Sequence, residues 1–158
     1  MDTFRRSMLK GAGAGGVLTV ALAAGLLKPV RAFAAEGWNS AAFEARDLAG
    51  ALKGIGADNI GDSKDIVLKA PDIAENGAVV PVEVASNIPN TVSISVLSLK
   101  NPLPLAATFD FANGAVPALQ IRVRLAETTH VRAVVKTADG KYFATQKEVK
   151  VTVGGCGG

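Results

Sequence analysis

The stretch Lys147-Glu148-Val149-Lys150-Val151-Thr152-Val153 alternates polar and apolar residues from Glu148 onward. A period of two places the three valines on one face and the polar side chains on the other, the pattern of a half-buried strand rather than a helix. Just upstream, Asp139-Gly140 separates this run (141–153) from another apolar run (129–138), which signals a hairpin with a two-residue loop. Further back, Ile121-Arg122-Val123-Arg124-Leu125 repeats the alternation. The same reading gives candidate strands at 65–70, 79–86, 91–99, 104–111, 118–126, 129–138 and 141–153. Turn signals separate them: Pro71-Asp72, Glu75-Asn76-Gly77, Ile88-Pro89-Asn90, Asn101-Pro102 and Asn113-Gly114. In 91–99 the alternation slips at Val96-Leu97, which predicts a bulge or a doubly buried stretch. Seven short antiparallel strands at this spacing predict an all-β fold, an immunoglobulin-like β-sandwich, with an orthogonal barrel as the alternative. There is no Cys…Trp…Cys spacing, which sets the chain apart from antibody-type domains.

One helix precedes the strands, predicted over 40–53. Asn39 is its cap, Trp38 and Phe43 form a hydrophobic staple, and Ala45, Leu48, Ala49, Leu52 and Ile55 make one buried stripe. Gly54 and Gly56 end it. The stripe reads as core packing and calls for no ligand.

The valines of the last strand, Val149, Val151 and Val153, are expected to point into the core and fix the chain as far as Val153. Beyond them comes Gly154-Gly155-Cys156-Gly157-Gly158, which holds the only cysteine between two glycine pairs. Gly154 has nothing to pack, so order is expected to stop there and 154–158 to form a flexible carrier arm. Glycines make this arm thin and pliable. Three extended residues carry the thiol roughly 10 Å past its anchor. The thiol is poorly activated for catalysis of its own. Lys150 lies at the far side, and a carboxylate two residues on disfavours the thiolate. A cysteine so placed is suited to being loaded and presented to the active sites of other proteins.

Residues 1–34 read as an export signal. Arg5-Arg6 and Leu9-Lys10 precede a mildly hydrophobic run of 17 residues (11–27), and Ala32-Phe33-Ala34 offers small residues for cleavage. The pattern resembles a twin-arginine signal, although Phe4 and Met8 depart from the usual residues. An uncleaved anchor is the competing reading, but the run is short for a bilayer span and diluted by glycine. The segment carries five basic residues and one acid, so the formal charge of +3 becomes about −1 for the 124 residues from Ala35 onward. No nucleic-acid or anionic-membrane partner follows from so weak a charge. Residues 35–153 are one domain's length.

Other chemistry is sparse. His130 is the sole histidine, so no cluster of histidines can hold a metal, and no motif around it marks a Ser-His-Asp triad. Arg122 and Arg124 share a strand face, with Arg132 expected on a neighbouring strand. A solvated strand face explains these three better than an anion-recruiting patch does. The glycines of 11–16 belong to the signal, and no Gly-Lys-Ser/Thr follows to make a phosphate loop.

The runs Ala74-Glu75-Asn76-Gly77-Ala78-Val79-Val80-Pro81-Val82, Lys100-Asn101-Pro102-Leu103-Pro104-Leu105 and Arg122-Val123-Arg124-Leu125-Ala126-Glu127-Thr128 resemble the SoxY family. So do the Asp139-Gly140-Lys141 hairpin and the Gly-Gly-Cys-Gly-Gly end. The resemblance covers nearly all of the chain after residue 34. It implies a non-catalytic, cofactor-free carrier subunit of the periplasmic thiosulfate-oxidising system, with sulfur intermediates held on Cys156. It further implies a heterodimer with a Z subunit, another small β-sandwich. A c-type cytochrome would join thiosulfate to the thiol, a dimanganese hydrolase would release sulfate, and a molybdenum enzyme would in some organisms oxidise the remaining sulfane sulfur.

Two other readings compete with the covalent carrier. A ubiquitin-like sulfur carrier would use Gly157-Gly158 as a thiocarboxylate, but it needs ATP-dependent activation in the cytoplasm, against the export signal, and a helix among its strands. An exported interaction sandwich would dimerise through its odd cysteine.

Overall fold

The computed structural model describes residues 39–153. Two short helices, α1 (Ser40–Phe43) and α2 (Leu48–Gly54), lead into the strands. These are β1 (Ile60–Asp62), β2 (Ile66–Lys69), β3 (Ile73–Ala74), β4 (Val80–Ser86), β5 (Thr91–Ser98), β6 (Leu105–Asp110), β7 (Ala118–Val123), β8 (Thr129–Thr137) and β9 (Tyr142–Val151). The larger sheet has the order β1-β9-β8-β5-β6, with β3 also paired to β9, and the smaller is β2-β4-β7. All seven expected strands are present, as two packed sheets, so the sandwich holds and the orthogonal barrel does not.

The main core lies between the sheets. Val80, Val82, Val84 and Val123 come from the smaller sheet, Leu125 from just beyond β7, and Ile94, Val96, Val131, Ala133, Val135 and Val149 from the larger. Each fully buried aliphatic side chain contributes about 1.5–3 kcal/mol relative to its exposed state. The other face of the larger sheet is covered by the helices, with Ala42 and Ala51 on Leu97, Leu105, Val134 and Ala144. Two-sided burial explains why Val134 is apolar between Ala133 and Val135, and why alternation slips in β5. The β5–β6 register shifts between Val96 and Leu97, at the anticipated bulge.

Four expectations are corrected. The single helix is two, because Asp47 is extended (φ −138°, ψ 161°) and its carboxylate accepts from Gly50 N at 2.7 Å, capping a fresh start. Asn39 caps α1 as expected, accepting from Ala42 N, while Trp38 lies outside the described residues. The pairing is not all antiparallel: β1 and β3, each too short to show a period, run parallel to β9. The hairpin loop has three residues, with Gly140 N donating to Thr137 O, Thr137 N to Lys141 O, and Gly140 at φ +81°. Arg132 lies on β8 of the larger sheet and Arg122 on β7 of the smaller, so they are not on neighbouring strands.

Gly54 has a role its sequence context hides. Asn39 Nδ2 donates to Gly54 O at 2.8 Å, and a Cβ at Gly54 would lie 2.5 Å from Ala42 Cα. Gly54 is the last residue of α2 and the point where the helices touch; the left-handed turn falls on Gly56, at φ +77°. Gly54→Ala is therefore expected to destabilise the fold by about 1–3 kcal/mol, because overpacking outweighs the gain in helix propensity. Equilibrium denaturation checks this; unchanged or raised stability would show that the helices part without cost.

Candidate functional site

Cys156 and its flanking Gly154, Gly155, Gly157 and Gly158 lie outside the described residues, so the structure defines the site through its root. The expectation that Val153 anchors the arm by burial is wrong: its side chain is 61% exposed and β9 ends at Val151. Val149 is fully buried and Val151 partly so. The two valines thus enter the core, and the third passes the end of the sandwich.

What fixes Val153 is its backbone. Segment 72–77 runs alongside the end of β9. Lys150 N donates to Asp72 O (2.9 Å), Thr152 N to Ala74 O (3.1 Å), and Gly77 N to Val153 O (2.8 Å). The Thr152 hydroxyl adds a bond to Glu75 O at 2.9 Å. Lys147 secures the start of the segment, with Nζ 2.6 Å from Ala70 O and 2.9 Å from an Asp72 carboxylate oxygen. At the other end Asn76 accepts from Ala78 N and folds the chain back toward β4.

The residues after β7 complete the root. Leu125 N donates to Gly77 O at 2.7 Å, and Val151 N to the Thr128 hydroxyl at 3.0 Å. Asn101 acts on the same strand end from the β5–β6 connection, its amide donating to Arg124 O (2.6 Å) and accepting from Ala126 N (3.0 Å). Three stretches far apart in sequence, 72–78, 100–101 and 124–128, are thereby joined around residues 150–153, the last that the structure describes. Sequence reasoning singled out all three runs but missed the parts played by Thr128, Thr152, Asn101 and Lys147. The available signal was Thr and Asn where strands end, residues whose side chains bond to nearby backbone.

His130 is half-buried on β8 opposite Glu148, and it is joined by no group of metal-ligating side chains among the described residues. No described helix is long and apolar enough to cross a membrane.

The family described as sulfur oxidation protein SoxY matches residues 52–156, a span that includes both the root and Cys156. The solved structure of the sulfur carrier protein SoxY from Chlorobium limicola f thiosulfatophilum is similar at 39% identity and a TM-score of 0.62. The match covers 68% of this chain and 97% of that one. A putative superoxide reductase from Thermotoga maritima has 17% identity and a TM-score of 0.52, over 60% of this chain and 96% of the other, a likeness of fold alone. No curated protein matches the sequence.

Proposed function

As the chain belongs to the SoxY family, we propose that it carries sulfur intermediates of thiosulfate oxidation covalently on Cys156, with the sandwich as handle and 154–158 as a swinging arm. The observation that carries this reading is the backbone clamp ending at the Val153 carbonyl. It supports a tether that begins at Gly154 and places the thiol roughly 10 Å from a rigid body. Cys156 is the covalent attachment point; Gly154, Gly155, Gly157 and Gly158 give the arm its width and freedom.

In the first step the thiol sulfur bonds to the sulfane sulfur of thiosulfate, giving Cys–S–S–SO3−. The thiol proton goes to solvent, and the two electrons would leave one at a time through c-type haem of the partner cytochrome. In the second step water, acting at a dimanganese hydrolase, releases the terminal sulfonate sulfur as sulfate and leaves Cys–S–SH. A molybdenum enzyme is the further partner where the sulfane sulfur is oxidised. The carrier performs no chemistry of its own in this scheme and holds no cofactor; its contribution is placement.

Two features support a permanent partner of the Z-subunit type. Part of the outer face of the larger sheet is covered by α1 and α2, whereas among the described residues no element lies over the outer face of the smaller, where Val67 on β2 is 39% exposed. That face suits a second small sandwich. Residues 1–34 are proposed to direct export to the periplasm by the twin-arginine route, with cleavage before Ala35.

Native and denaturing mass measurement on protein from thiosulfate-grown cells tests all three points. The denatured chain is expected to begin at or near Ala35 and to carry sulfur adducts on Cys156 that reductant removes. The native form is expected to hold one small β-rich partner that reductant does not release. A chain retaining residues 11–27 would overturn cleavage, and a reductant-sensitive homodimer with no adduct would overturn the carrier.

A further inference from the structure

On the outer face of the larger sheet, Asp62, Ser63, Lys64, Arg132 and residues 144–146 of β9 line a cleft of about 510 Å³. It lies roughly 25 Å along the chain of β9 from the arm root at Val153, at the usual strand rise. Arg132 stands on β8 in register between Leu97, fully buried under the helices, and Gln146. Its stem thus leaves an apolar layer, and its Nε is buried without any hydrogen-bond partner. A buried N–H on an ionised group with no acceptor is costly, and native proteins seldom leave one unfilled. Lys64 lines the same cleft, and among the described residues the ion pairs involve Lys69, Lys100, Lys141 and Lys147, but neither Lys64 nor Arg132. Asp62, also lining the cleft, is exposed and pairs with neither cation.

Neutral donors complete the lining. The Ser63 oxygen accepts from Asp65 N, which leaves its own proton free to donate, and Gln146, on the same sheet face as Arg132, adds an amide. A planar guanidinium, an ammonium and two neutral donor groups offer more hydrogen bonds than the two oxygens of a carboxylate can take up. They suit the four oxygens of a tetrahedral ion. We propose that this cleft binds a small tetrahedral oxyanion of the sulfate or phosphate class, with Arg132 at its floor and Lys64 at its rim. The site is independent of the carrier reading, since it uses no residue of the arm.

The test uses the full chain with Cys156 alkylated, so that nothing adds to the thiol. Sodium sulfate, phosphate, acetate and chloride are titrated at constant ionic strength, and the melting temperature is followed. Sulfate and phosphate are expected to raise it saturably, as a ligand of the native state does. Acetate should act only at concentrations about tenfold higher, and chloride not at all. Lys64→Gln should raise the half-saturating concentration about tenfold, and Arg132→Gln should abolish saturation. Arg122→Gln, on the other sheet, should change nothing. Should Arg132→Gln fail to fold, the wild-type spectrum decides: sulfate must shift the Nε–H resonance of one arginine. Stabilisation that never saturates, equal potency of acetate and sulfate, or an unchanged midpoint in Lys64→Gln would each overturn the site. Whether sulfate or phosphate binds more tightly identifies which of the two it takes.

Discussion

Cys156→Ser is expected to abolish thiosulfate-dependent electron transfer in the reconstituted system while leaving fold and partner intact. A serine oxygen cannot form the sulfur–sulfur bond on which every later intermediate hangs, so the loss is complete rather than partial. Stability should move by no more than about 0.5 kcal/mol, because position 156 lies three residues past Val153, where the clamp's last backbone bond is made. The two measurements are electron transfer to cytochrome and the denaturation midpoint. A serine variant that still turns over would remove the carrier reading, and one that unfolds would show that the cysteine is structural.

Stiffening the arm should do nearly as much damage without touching the thiol. Gly155→Pro fixes φ near −65° and adds a ring beside the cysteine. Valine at both 154 and 155 widens the arm and limits its torsions through β-branching. If Cys156 visits several active sites in turn, a wide or rigid arm meets the walls of each channel, and each partner requires a different angle at Val153. Alkylation of the thiol by a small reagent should stay close to the wild-type rate, since the reagent comes from open solvent. Turnover should fall at least tenfold, a barrier increase of about 1.4 kcal/mol. Full turnover in both variants would make the glycines incidental even with the cysteine essential.

The sandwich was legible in the sequence because its strands carry strong local patterns. Val80, Val82 and Val84 alternate with Pro81 and Glu83, and they enter the core as a period of two requires. The slip at Val96-Leu97 marks a true register shift because Leu97 serves the second, helix-covered layer while Val96 serves the first. Less legible was anything depending on partners distant in sequence. β1 and β3 are three and two residues long and exist by virtue of β9, and nothing local to them announces a parallel neighbour. The helix was read as continuous because its stripe is periodic, yet Asp47 turns its carboxylate on Gly50 N and restarts it. Val153 continued the alternation and was placed in the core, but pattern carries no information about where the opposing sheet stops. The anchor was right in position and wrong in cause: hydrogen bonds from 72–77 secure the backbone that burial was expected to hold.

That clamp also governs how the molecule bears load. A partner gripping Cys156 while thermal motion carries the sandwich away pulls on Val153. Because β9 is flanked by β8 on one side and by β1, Lys147's hold on Ala70, and β3 on the other, a pull along the strand strains both ladders in shear. Many hydrogen bonds must then give way together. An arm rooted in a bare edge strand would instead be peeled like a zipper, one bond after another. Drawing the chain by Cys156 in a force-clamp should therefore give a single abrupt rupture. A staircase of small steps would show that the strand unzips.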